Sequence, residues 1–226
     1  IRLGKPLIII FGLGSANGSR TGASPLAEMM ENLTKKPNIS VITCMGNEAN
    51  NKCHYKGTVM SALVPDVMEI NVDGTGKGFT MEIWADSLDI LSVSIESPSG
   101  EYVPRIPARM GASMEYTFLY EGSTVTVDYQ ITENVAGMEV IFVRLKTPVE
   151  GTWKFYIYSL TNIKGSYNAW LPLKQFSGQD IYFLKSDPDT TLTVPAAADG
   201  VISVGAYNHY TGAAYYESGR GYSADG

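Results

Sequence analysis

Gly46-Asn47-Glu48 is the tripeptide best placed for chemistry, because it comes one residue, Met45, after the strand-forming run Val41-Ile42-Thr43-Cys44. In an α/β sheet, sites form at the carboxyl ends of the strands. Asn47 offers an amide donor there, and Gly46 lets another chain approach closely. A turn that favours Asn and Gly is the simpler account of the tripeptide taken alone. Gly12-Leu13-Gly14 closes a second apolar run, which invites a dinucleotide-binding reading. The next glycine is Gly18, giving GxGxxxG, and the following helix starts only near Ser24. Its N-terminus stands too far along to sit on a pyrophosphate, so a tight turn with exposed backbone is the better reading.

The remaining reactive side chains are few. Cys53-His54 has the look of half a metal site, but no further ligands follow at zinc spacing, and no metal is expected. His54 and His209 read as loop or surface histidines. Cys44 reads as a buried core thiol, and a bridge between Cys44 and Cys53 stays open. Asp187-Pro188-Asp189 reads as a solvated turn rather than a calcium ligand set. Nothing implies a cofactor.

These residues need elements to hold them. Pro6-Leu7-Ile8-Ile9-Ile10-Phe11 is apolar on both faces, as suits a strand within a parallel sheet. Ser24 then caps a helix with Pro25 at its first position. Leu26, Met29, Met30 and Leu33 fall on one helical face, so both methionines read as core. Ile39–Cys44 is a second strand, and strand, helix, strand makes a βαβ unit. From about Thr58 the period changes to two: Leu91, Val93 and Ile95; Val125, Val127, Tyr129 and Ile131; Trp153, Phe155 and Ile157 each alternate with polar or tyrosine neighbours. Turns such as Ser97-Pro98-Ser99-Gly100 separate these runs, with no convincing helix among them. Near Asp187 the pattern reverts, and Val201–Ala206 is again a short apolar strand before the chain stops at Asp225-Gly226. The expected fold is an α/β parallel-sheet unit at 1–57 and 186–226, interrupted by an all-β antiparallel sandwich, jelly-roll-like, at 58–185.

Composition narrows the partners. A hydrophobic share of 44% with 18% charge fits a folded globular chain of 226 residues rather than a disordered one. A formal charge of −6 argues against nucleic acid and anionic membrane surfaces. No apolar run reaches the roughly 20 residues of a membrane span. The chain begins Ile1-Arg2, so its natural start is expected to lie further upstream.

Taken in order, Ile8–Gly14, the Ser24–Lys35 helix and Val41-Ile42-Thr43-Cys44-Met45-Gly46-Asn47-Glu48 resemble the central stretch of the subtilisin-like serine proteases. There a strand ending Ser-Leu-Gly is followed by a helix and a strand ending Ala-Ala-Gly-Asn-Glu-Gly. Val201-Ile202-Ser203-Val204-Gly205-Ala206 is similar to a later Val-Ile-x-Val-Gly-Ala strand of the family. The long β insert resembles the clostridial Csp-type branch, which carries a jelly-roll domain. The resemblance implies that Asn47 is the oxyanion-hole amide. It implies that Gly12, Leu13 and Gly14 pair with a bound peptide, and that Cys44, Met45, Gly46 and Glu48 line the pocket before the scissile bond. Gly12 stands where the family has serine, Cys44-Met45 where it has two alanines, and Ala49 where it has glycine. The family's Asp and His motifs lie upstream of these blocks and its Gly-Thr-Ser motif downstream.

The function expected on that resemblance is the interior portion of a bacterial, extracytoplasmic or spore-associated serine endopeptidase. Its partner is a peptide or protein substrate, its insert packs on the catalytic domain, and the chain alone is inactive. The alternative is a β-sandwich binding or regulatory module of a pseudoprotease or cell-surface protein, with Tyr156, Tyr158 and Trp170 as a face for sugars or proteins.

Overall fold

Parallel strands must have their faces covered, and the first fifty residues cover one of them with a helix. In the computed structural model, which describes residues 5–85, 90–131, 138–160, 165–177 and 180–224, the chain forms two compact units, Ile1–Asn51 with Pro188–Gly226, and Lys52–Asp187. Ile1-Arg2, Asp225-Gly226 and the side chain of Ile131 lie outside the described residues.

The chain enters the first unit with β1 (Leu7–Phe11), α1 (Pro25–Thr34) and β2 (Ile39–Cys44). It then builds the second unit from β3 (His54–Val59), β4 (Asp66–Asp73), β5 (Gly78–Ala85), β6 (Leu91–Glu96), β7 (Tyr102–Ile106), β8 (Ser113–Thr117) and β9 (Thr124–Ile131). That unit is completed by β10 (Glu139–Lys146), β11 (Gly151–Ser159), β12 (Gly165–Trp170), the short α2 (Lys174–Ser177) and β13 (Asp180–Phe183). The chain returns to the first unit for β14 (Ile202–Val204).

In the first unit β1, β2 and β14 form a parallel sheet in that order, with Phe11 opposite Thr43 and Val204 opposite Cys44. Ser24 caps α1, its hydroxyl accepting the Ala27 N–H at 3.1 Å, and Pro25 opens the helix. The buried helix face is Ala27 and Met30, and Met30 packs with Ile9, Phe11, Ile39 and Val41. Met29 is 54% exposed, contrary to its reading as core. At about 100° per residue it lies on the flank, and the small Ala27 takes the inward place. The opposite face of the sheet, with Ile8 and Ile10 from β1 and Ile202 and Val204 from β14, is open. Cys44 lies at the end of β2, half-buried rather than in the core, because that same face is open; it is a free thiol, as is Cys53.

The second unit is a sandwich of two antiparallel sheets, β3-β12-β5-β10-β9-β8 and β13-β4-β11-β6-β7, around one core. Alternation of side chains puts Met81, Ile83, Val125, Val127, Ile141 and Val143 of the first sheet against Met68, Ile70, Val93, Ile95, Trp153 and Phe155 of the second. Burying each such side chain contributes about 1.5–3 kcal/mol. Tyr55 and Tyr167 both donate to Asp66 Oδ2, at 3.0 and 2.7 Å, tying β3 and β12 to β4. Burial, then the neighbouring carboxylate, raises both phenols above the ordinary tyrosine range.

Three sequence readings change here. His54 is fully buried, not a surface histidine: its ring stacks on Trp170 at 5.0 Å, Nδ1 donates to the Asp187 carbonyl and Nε2 lies 3.0 Å from Asn168 Oδ1. Trp170 is 3% exposed and lies on β12, so it cannot share a binding face with Tyr156 and Tyr158, which project from β11 in the other sheet. A helical turn, α2, also occurs where only strands were expected.

Candidate active site

The three parallel strands end side by side, β1 in Gly12-Leu13-Gly14, β2 in Met45-Gly46-Asn47-Glu48 and β14 in Gly205-Ala206. The Met45 N–H donates to the Val204 carbonyl at 3.1 Å, which carries the β2–β14 pairing one residue past the strand. An extended segment, Thr191–Val194, crosses these ends. Val194 and Ser15 exchange backbone hydrogen bonds of 2.9 and 3.0 Å, and the Thr193 N–H donates to the Met45 carbonyl at 3.1 Å.

This crossing explains two of the glycines. A Cβ at Gly14 would lie 2.2 Å from Thr193 Oγ1, and one at Gly46 would lie 2.5 Å from Thr193 Cγ2. Gly46 also has φ +88°, a left-handed conformation that glycine adopts without strain. Nothing lies within 4 Å of a Cβ built at Gly12, by contrast. On the other side, Gly219 donates to the Gly46 carbonyl at 2.8 Å and Ala49 donates to Glu217 at 3.2 Å. The Ser218 hydroxyl accepts from Ala206 N at 3.0 Å. Met45 and Gly46 are thus held between Thr193 and a 217–219 ridge.

Asn47 itself is exposed. Its carbonyl accepts from Asn51 Nδ2 at 3.1 Å, and the same Nδ2 donates to Glu48 Oε2 at 3.0 Å, which pins the loop. The side-chain amide of Asn47 makes no hydrogen bond to another described residue. Nor does the backbone of Gly12, Leu13 or Gly14, where Leu13 is 70% exposed. Met45 is half-buried, its Sδ 2.9 Å from a Cβ built at Gly205. The structure therefore gathers Gly14, Cys44, Met45 and Gly46 around Thr193 and the β14 end, with Asn47 and Glu48 on the adjoining loop. His209 is exposed beside Tyr210 and makes no hydrogen bond among the described residues. Among those residues no group of three or more His, Cys, Asp or Glu could hold a metal ion.

Sequence reasoning missed Thr193 and the 217–219 ridge. The run Thr191-Leu192-Thr193-Val194-Pro195 carries a usable signal, since its alternation before a proline favours extended backbone. Chemically, the strand ends present a free amide donor and an unpaired stretch of backbone on which an extended chain could lie.

No protein-family model matches the sequence, and no curated protein matches it. Among solved structures, the Clostridium perfringens CspB protease is similar, with a TM-score of 0.85 and 24% identity over 98% of this chain. The chain shares its fold with part of that protease. It spans 46% of that protein's length, about half. No helix among the described residues is long and apolar enough to cross a membrane.

Proposed function

We propose that this chain is the interior portion of a subtilisin-like serine endopeptidase, carrying the oxyanion-hole asparagine and the substrate cleft but not the Asp, His and Ser of the triad. The observation that carries the reading is the exposed, unbonded Asn47 amide at the carboxyl end of β2, in line with the free backbone of Gly12–Gly14 on the neighbouring strand. In this reading Asn47 donates to the oxygen of the tetrahedral intermediate, Gly12–Gly14 receive the substrate as an added strand, and Cys44, Met45, Gly46 and Glu48 line the pocket. The sandwich, 52–187, is a jelly-roll-like insertion. The open face of Ile8, Ile10, Ile202 and Val204 supports a longer parent, because parallel sheets are covered on both faces. So does the likeness to about half of a longer protease.

The test compares the full-length parent with its Asn47→Ala variant on a peptide substrate. Removing one oxyanion donor costs about a hundredfold to a thousandfold in kcat, a magnitude known from subtilisin itself. The expected result is a loss of that size with KM little changed. Unchanged turnover in an active parent would show that the cleft lies elsewhere, and a folded but inactive parent would favour a pseudoprotease.

A further inference from the structure

The sandwich carries a concavity that the protease reading does not use. On β9 and β10, the residues between the core-facing Val127, Tyr129, Ile141 and Val143 point outward, so Asp128, Gln130, Phe142 and Arg144 share the outer face of the six-stranded sheet. Asp128 is directly opposite Phe142, and Arg144 is opposite Thr80 of β5. A loop at Gly111 walls one side: the Gly111 N–H donates to the Tyr129 carbonyl at 3.1 Å, and the Tyr129 N–H donates to Ala112 at 3.2 Å. Together Thr80, Gly111, Asp128, Gln130, Phe142 and Arg144 surround a cavity of about 360 Å³. That volume falls at the lower end of small-molecule sites, about 300–1,000 Å³.

Three features distinguish this place from an ordinary solvated sheet face. Outward sheet positions are normally polar, yet the cavity holds a half-buried phenylalanine ring. An aspartate and an arginine flank that ring, and neither side chain forms a hydrogen bond or ion pair with another described residue. The lining is also concave, where a plain strand face is flat.

We infer that this cavity binds a neutral saccharide. A pyranose presents an apolar C–H face that stacks on an aromatic ring, and a rim of hydroxyls that both donate and accept. Asp128 accepts from such hydroxyls, Arg144 donates through its fork, and Gln130 and Thr80 do both. The two charges in the lining cancel, which selects against a simple anion or cation. A free zwitterion could bridge Asp128 and Arg144, but it would leave the ring unused and would rely on charge pairs weakened by solvent.

The test titrates the 226-residue chain with chitotriose, cellotriose and maltotriose, followed by amide NMR, with glycine and uridine as zwitterion and base controls. At least one trisaccharide is expected to shift the amides of Gly111, Ala112, Asp128, Gln130 and Phe142 with a dissociation constant of about a millimolar. Phe142→Ala and the gentler Asp128→Asn should each weaken binding tenfold or more, while Tyr158→Ala on the opposite sheet leaves it unchanged. Unchanged amide dispersion elsewhere in each variant verifies its fold. The inference is overturned if no trisaccharide moves these amides at 10 mM on the scale of about that concentration, if glycine or uridine moves them instead, or if binding survives both substitutions. None of these outcomes depends on whether Asn47 serves an oxyanion.

Discussion

Gly14 and Gly46 stand at the ends of neighbouring strands and share one neighbour, the side chain of Thr193. The obstruction to a larger residue at Gly14 is that side chain alone, whereas Gly46 combines it with a φ of +88°. The two positions should therefore respond differently to the same remedy. Gly14→Ala is expected to destabilise the parallel-sheet unit by about 1–3 kcal/mol through overpacking. Adding Thr193→Gly, which removes the Cβ that would lie 2.5 Å away as well as the branches beyond it, should restore most of that loss, as the two substitutions are in contact and non-additive. Gly46→Ala should stay destabilised in the same Thr193→Gly background, because backbone strain remains. Gly12→Ser, with open space around it, should change stability by less than about 0.5 kcal/mol. Urea unfolding of the five variants, read through amide exchange of Met45 and Thr193, checks this; equal rescue of Gly14→Ala and Gly46→Ala would refute it.

Between strands, the outer face of the five-stranded sheet is knit by side chains rather than left to solvent. Tyr156 donates to Glu96 Oε2, Lys154 Nζ lies 2.9 Å from Glu96 Oε1, and Arg105 stacks over the Tyr158 ring while donating to Ser92 Oγ at 2.6 Å. The Tyr156 hydrogen bond, and then the Lys154 one, holds Glu96 below its ordinary carboxylate value; the same bond pushes Tyr156 up to about 12. A depressed carboxylate stabilises the fold above its unfolded value of 4.5 and loses that contribution as pH falls through the lower folded value. A raised phenol stabilises below its unfolded value of 10.0 and loses its contribution as pH rises through about 12. Both shifts describe one bond, present in full between those limits and worth about 1 kcal/mol at this partly exposed site. In Tyr156→Phe, carboxyl-carbon NMR should show the Glu96 titration midpoint moving up; an unmoved midpoint would mean that the bond does not form in solution. Such knitting also limits what sequence can tell. The alternation of Leu91, Val93 and Ile95 marks the inward face of β6 correctly, but Ser92 and Ser94 are fully buried as well, covered from other strands. Ser24-Pro25 marks the helix start because capping is local. The burial of His54 and Trp170 depends on pairing between β3 and β12, over a hundred residues apart, and no local pattern reports it. At the strand ends, Asn47 and its glycines were visible in sequence, while Thr193, which fits between them, arrives from a segment far along the chain.

For the molecule as a whole, the sandwich has the properties of a domain able to fold alone. Its core is continuous, with Trp153, Phe155, Phe118, Tyr129, Tyr167 and Phe183 all essentially buried, and among the described residues it draws on its own unit alone. Its two ends also meet. Phe183 donates to the Lys52 carbonyl at 2.9 Å, Leu171 to Cys53 at 2.9 Å and Asp187 to His54 at 2.9 Å, while the His54 ring returns a bond to the Asp187 carbonyl at 3.1 Å. An inserted segment whose ends are adjacent imposes little strain on its host and needs little from it. A fragment spanning 52–187 is therefore expected to unfold cooperatively in urea, with a stability in the usual range of about 5–15 kcal/mol. Near-UV circular dichroism from Trp153 and Trp170 should vanish in the same transition as the far-UV signal. His54→Ala, which removes the buried ring that joins the two ends, should lower the midpoint without abolishing the transition. A fragment with strand content but no near-UV signal, and no cooperative midpoint, would show that the sandwich cannot complete its packing alone, despite the continuity of its core.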